Sequence, residues 1–100
     1  MELVKNYKKP FAQFVKKQHR AFRAAIEDEI NVICENPNIG ELKVGDLSSI
    51  RVHKFKFNRQ EYLIAYHVTG ENEAEFIAIV FYKIGVHENF YEELKNYIKS

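Results

Sequence analysis

"RVHKFKFNRQEYLIAYHV", residues 51–68, is where the period of the chain changes, and that change decides the fold. Upstream of it apolar residues recur at helical spacing; from Arg51 they alternate. Between Arg51 and Asn58 the odd positions include Phe55 and Phe57 and the even ones Lys54 and Lys56. An extended strand therefore buries the phenylalanines and turns both lysines to the opposite face. Asn58 to Gln60 reads as a hairpin turn, and "EYLIAYHV", rich in β-formers, as the next strand.

Working outward, "TGENEAE" is a polar turn and "FIAIVFYKI" is apolar on both faces, as a central strand is. A last helix, "HENFYEELKNYIK", carries Phe90, Leu94, Tyr97 and Ile98 on one side. In the other direction, "NPNIGELKVGDLSS" is a connector by its Pro, Gly, Asn and Ser content. Before it, "AFRAAIEDEINVICENPNIG" has Phe22, Ala25, Ile26, Ile30 and Ile33 on one helical stripe, ended by the Asn36-Pro37 step. "KKPFAQFVKKQ" forms a shorter helix with Pro10 in its first turn, preceded by a segment fit for an edge strand. The expected architecture is α+β: an antiparallel sheet with a helical hairpin on one face and a C-terminal helix.

One hundred residues, 46% of them hydrophobic, suit a single domain with one modest core. No window approaches the roughly 20 apolar residues of a membrane span, and "MELVKNYKKP" lacks the apolar centre of a secretory signal, so a soluble, cytoplasmic protein is expected. A single cysteine, Cys34, cannot make an internal disulfide, and it reads as a small buried residue late in a helix.

The net charge of +1 hides a segregation of signs. Met1 to Arg23 is basic with Glu2 as its one acid, Glu27 to Asp46 is acidic with Lys43 as its one base, and Arg51 to Arg59 is basic again. Such clustering points either to a polyanionic partner or to an ordinary solvated face.

There is no Gly-rich phosphate loop, HExxH or GxSxG, and the acids form no evident metal cluster, so neither cofactor nor metal is expected. What remains is a set of bases on or beside the sheet, His53, Lys54, Lys56, Arg59, His67, Lys83 and His87, with Tyr62, Tyr66 and Tyr91 near them in sequence. Lysine and arginine neutralise phosphate, aromatic rings stack on unpaired bases, and imidazoles exchange protons near neutral pH. Each has a structural alternative. Lys54 and Lys56 fit the solvent face of a strand, His67 a histidine satisfied by a backbone carbonyl, and His87 the start of the last helix. His53 shares its face with Phe55 and Phe57 and so points to the helices or the sheet edge; His19 falls on the surface.

The order of elements, with "NPNIG" closing the hairpin, then "RVHKFKF", "YLIAYHV" and "KIGVHENFYEELK", resembles the RelE/ParE superfamily of toxins from bacterial type II toxin-antitoxin modules, over essentially the whole chain. The resemblance implies two helices on one face of a small twisted sheet and an open concave face opposite. Most such toxins are ribosome-dependent mRNA endoribonucleases, while the ParE branch poisons DNA gyrase; a catalytically silent member that only binds its antitoxin is the third expectation. Lys54 and Lys56 match the lysines that line the concave face in RelE-like members. The frequent "YRVIY" strand is here "YLIAY", with Leu63 at the arginine position. The YafQ-type pattern of a strand histidine and a basic-x-Gly-x-His followed by an aromatic is matched by His67, Lys83, Gly85, His87 and Tyr91, with Glu71 near a further acid of that branch.

By this resemblance the 2′-hydroxyl attacks the adjacent phosphate, one of His67 and His87 serves as base and the other as acid, and Lys54, Lys56 and Lys83 stabilise the added charge. Tyr91 orients a base, and Arg51, Arg59 and Tyr62 assist RNA binding. The implied partners are a cognate antitoxin with an acidic, amphipathic wrapping segment, and the ribosome with its mRNA or, on the other branch, DNA gyrase. The toxin alone is expected to be a monomer and to form a heteromer with its antitoxin.

Overall fold

The computed structural model describes residues 2–70 and 76–99. Its elements run β1 (Glu2–Tyr7), α1 (Lys9–Lys16), α2 (Arg20–Glu35), β2 (Glu41–Leu42), a short 3-10 turn (Gly45–Leu47), β3 (Ile50–Phe57), β4 (Gln60–Thr69), β5 (Phe76–Gly85) and α3 (Phe90–Lys99). The fold class is the expected α+β one. Glu71 and most of the "TGENEAE" turn lie outside the described residues.

The sheet has the order β1-β5-β4-β3-β2. β2, β3, β4 and β5 pair antiparallel, but β1 lies parallel to β5, Glu2 against Phe76 through Tyr7 against Phe81. An all-antiparallel sheet is thus corrected to a mixed one. The reason is non-local: every element except α3 lies between β1 and β5 in the chain, and no local signal names the partner of an edge strand.

Both helical stripes bury as the 3.6 period requires. Phe11 of α1 and Phe22, Ile26, Ile30 and Ile33 of α2 pack on Phe55, Ile64, Tyr66, Ile79 and Phe81 of the sheet. His19 precedes α2 and accepts a long hydrogen bond from the Phe22 backbone N–H on Nδ1, 3.4 Å, so this exposed residue caps the helix. Cys34 is half-buried. On the opposite face a second cluster joins Leu47, Ile50, Val52, Leu63 and Ala65 to Phe90 and Leu94 of α3. The C-terminal helix therefore lies across the face opposite the hairpin and covers part of it.

Two local devices set the shape of that face. Asn58 and Arg59 both have positive φ, 50° and 69°, as a two-residue primed hairpin turn demands, and this places Arg59 in a position usually left to glycine. Between β4 and β5 the register jumps at Ala65/Tyr66, so that Tyr82 is the extra residue of a bulge. As a result Tyr82 and Lys83, neighbours in sequence, both reach α3: Tyr82 contacts the Tyr97 ring and Lys83 the Glu93 carboxylate.

The connector is latched to the core by Tyr66. Its hydroxyl donates to the Pro37 carbonyl, 2.7 Å, and accepts from the Gly40 N–H, 2.9 Å. Burial raises the phenol pKa, an effect offset in part by the Gly40 hydrogen bond and the Arg51 charge. A Cβ on Gly40 would stand 2.8 Å from the Tyr66 hydroxyl oxygen and 3.1 Å from the Val52 carbonyl carbon. Gly40→Ala is accordingly expected to cost about 1–3 kcal/mol through overpacking, read as a lower midpoint in urea. A midpoint equal to that of the parent would show that the latch yields.

Candidate functional site

The alternation of β3 sorts its basic residues onto two faces. Val52, Lys54 and Lys56 face the α3 side; Arg51, His53, Phe55 and Phe57 face the helical hairpin. Lys54 and Lys56 are exposed, and neither forms an ion pair with a described residue. Lys56 stands opposite Glu61, and Lys54 opposite Leu63, which in turn stands opposite Gly85.

Beyond Gly85 the chain turns into α3, with the Phe90 N–H bonded to the His87 carbonyl at 3.1 Å and Asn89 at φ 60°. His87 is exposed, and its ring meets that of Tyr91 edge-on with centroids 5.7 Å apart. Phe90 beneath anchors this turn on the second core cluster. The lysine strand and the His87–Tyr91 pair thus share the α3 face of the sheet; Lys54 and Gly85, two residues before His87, are separated by two strand spacings, roughly 10 Å.

His67 is elsewhere. It pairs with Ile50 on one side and Val80 on the other, four residues along β4 from Leu63, roughly 13 Å by strand geometry. Leu63 and Ala65, covered by Phe90 and Leu94, lie between the two histidines. The His67 Nδ1 is 2.8 Å from the Ser49 carbonyl oxygen; a carbonyl only accepts, so Nδ1 is the protonated nitrogen. The fold does not bring His67 and His87 together as a base and acid pair.

Other predicted residues also have structural engagements. The Arg51 guanidinium donates to the carbonyls of Gly40, 2.8 Å, and Asn38, 3.3 Å, holding the connector from the hairpin side. Tyr62 is half-buried against Phe22, 4.7 Å between centroids, and Phe55. Neither shares the lysine face, because both occupy the strand positions that alternation sends to the core. Lys83 does reach the α3 side, but its Nζ is 2.9 Å from Glu93 Oε1 and lies 5.7 Å from the Phe90 ring centroid. Arg59 is exposed at the hairpin tip. His53 turns inward as expected and meets Glu29 of α2 at 2.7 Å.

Sequence reasoning missed two residues, Glu41 and Lys43, which it left in the connector. They form an ion pair on the strip beside β3, and the Lys43 Nζ lies 5.2 Å from the Tyr91 ring centroid. The Glu41 carboxyl is held below its ordinary value by the Lys43 hydrogen bond and charge, with Lys54 adding to the effect. The Lys43 ammonium is held above its own, first by Glu41 and then by the Tyr91 hydroxyl. The polar-apolar alternation of "ELKV" was the available signal.

No described helix is long and apolar enough to cross a membrane, and no three metal-ligating side chains cluster among the described residues. A cleft of about 520 Å³ lies on the hairpin side, lined among others by Lys5, Tyr7, Phe11, Arg23 and Ile26, and it contains none of the predicted site residues.

A family model described as a ParE-like toxin of type II bacterial toxin-antitoxin systems matches residues 5–95. The chain belongs to this family. The toxin's fold is similar to that of the isolated E. coli RelE toxin, at 15% identity and TM-score 0.55 over 94% of this chain and 97% of that one. It is equally similar to a chain of the intact E. coli RelBE toxin-antitoxin complex, at 14% identity and TM-score 0.56 over 83% of this chain and 94% of that one. No curated protein matches in sequence. The toxin is therefore a member of the RelE/ParE superfamily, and an antitoxin is its expected partner.

Proposed function

We propose that the toxin is a metal-independent endoribonuclease that cleaves mRNA on the ribosome. The observation that carries this reading is the shared face of Lys54, Lys56, His87 and Tyr91: two exposed cations, an exposed imidazole and an aromatic ring on one side of one sheet. The RNA 2′-hydroxyl attacks the adjacent phosphorus and the P–O5′ bond breaks. A 2′,3′-cyclic phosphate and a free 5′-hydroxyl result. Lys54 and Lys56 stabilise the charge that builds on the phosphoryl oxygens. His87 is the one predicted imidazole on this part of the face, so it takes or gives the proton, and the second proton transfer falls to water or to the ribosome. Tyr91 orients a base by stacking. His67, held by Ser49 across the α3 bed, has no part in the chemistry.

His87→Gln is expected to lower cleavage by about 10²- to 10⁴-fold, the usual worth of a positioned proton donor or acceptor. Primer extension on a reporter mRNA in a purified translation system, with and without ribosomes, reads this directly. Undiminished cuts in the variant would remove His87 from the mechanism.

A second reading is a gyrase inhibitor that binds without cutting. Leu63 favours it, since the side chain at the strand position of the missing arginine is fully buried under α3 and offers nothing to a phosphate. Intact mRNA together with DNA breaks from gyrase on supercoiled plasmid would select that reading.

A further inference from the structure

We propose that Lys43 is a positioning residue: held by Glu41 at the β2 edge, it fixes the Tyr91 ring at the start of α3 in the orientation that receives an RNA base. The proposal rests on the nuclease reading above. Three contacts carry it. The Lys43 backbone N–H donates to the Ile50 carbonyl, 2.9 Å, which fixes the lysine's origin on the sheet. Its ammonium forms an ion pair with Glu41, two residues back on the same strip. That ammonium also lies 5.2 Å from the Tyr91 centroid, within the range at which a cation is drawn to a ring.

The exposures support a built arrangement rather than a loose surface pair. Lysine ordinarily extends its charge into water. Here the Lys43 side chain is only 23% exposed although its acid partner is 70% exposed. The lysine is folded down onto the ring. Tyr91 in turn abuts His87, so Glu41, Lys43, Tyr91 and His87 form a continuous chain from the edge of the sheet to the proposed proton-transfer group.

An aromatic platform helps catalysis only if its plane is set before the base arrives, and a displacement of about 1 Å costs about 10²-fold. Phe90 anchors α3 from below; Tyr91 packs at the edge of the same cluster in ring contact with Phe90, and Lys43 is the charged group set against its ring. The raised ammonium pKa of Lys43 agrees with contacts to both Glu41 and the Tyr91 hydroxyl.

The test compares Lys43→Gln, Lys43→Arg, Tyr91→Ala and the Lys43→Gln/Tyr91→Ala double variant in single-turnover cleavage of ribosome-bound mRNA. Nuclear magnetic resonance of the Tyr91 ring in the free protein is the second readout. Lys43→Gln is expected to lower the cleavage rate by about 10- to 100-fold with unchanged apparent mRNA affinity, and to shift the Tyr91 ring resonances. Lys43→Arg is expected to recover most of the rate. In the Tyr91→Ala background, Lys43→Gln is expected to cost less than about threefold more, because residues acting through one another are non-additive. A wild-type rate in Lys43→Gln overturns the proposal, and so does a full loss that persists without Tyr91, which would make Lys43 a direct RNA contact. If the parent protein cuts no mRNA, the nuclease reading fails. The resonances then decide the positioning role by themselves, and unshifted resonances overturn it.

Discussion

Replacing Lys54 and Lys56 together by alanine is expected to lower mRNA cleavage, and with it growth arrest, by about 10³-fold or more. Each well-placed donor at a charge-developing oxygen is worth about 10²- to 10³-fold in oxyanion-binding sites, and two of the other described cations on the α3 side are already engaged. Lys43 is bound to Glu41 and Lys83 to Glu93. The fold should survive, because both side chains are exposed and substitutions of that kind usually lie within about 0.5 kcal/mol of neutral. Cleavage kinetics and a thermal melt on the same preparation separate the two effects. Full activity in the double variant would show that the strand is only a solvated surface, and the proposed function would fall with it.

Phe81→Ala is expected to remove about 3–5 kcal/mol of stability. Phe81 is fully buried on the central part of β5, with its ring 5.3 Å from Tyr7, 5.4 Å from Phe11 and 6.2 Å from Tyr66. Its carbonyl also receives the Lys8 N–H at 2.8 Å, at the junction of β1 and α1. Truncation therefore opens a cavity where the parallel edge strand, the first helix and the connector latch meet. A domain of this size typically holds about 5–15 kcal/mol in all, so the variant should be partly unfolded at physiological temperature. Urea denaturation measures the loss. A cost under about 1.5 kcal/mol would mean that the neighbouring rings close the gap.

The two experiments are independent, since Lys54 and Lys56 lie on one face of the sheet and Phe81 packs on the other. A loss of toxicity in Phe81→Ala would report lost folded protein, whereas in the lysine variant it would report lost chemistry.

What could be read of the site follows the range of the interactions involved. His53 was legible because strand alternation is a property of adjacent residues. Arg51 and Tyr62 obey the same alternation as His53, and grouping them by charge and ring type with the RNA-facing residues overrode that signal. Lys83 could not be placed from its neighbours, because a bulge at Ala65/Tyr66 decides which side it takes, and a bulge is a property of two paired strands. The separation of His67 from His87 depends on the β4–β5 register and on α3 lying between them, neither of which any window of the chain contains.

By itself the sequence determined the helical hairpin, the β3–β4 hairpin, the inward phenylalanines with outward lysines, and the membership of the toxin superfamily. Each of these rests on periodicity or on the order of elements, which neighbouring residues encode. Only the tertiary structure decided that β1 runs parallel beside β5, that α3 packs on the face opposite the hairpin, and that Lys43, paired with Glu41, reaches Tyr91. Those features arise from contacts between residues far apart in the chain, where burial of apolar surface and strand pairing, rather than local propensity, select the partner.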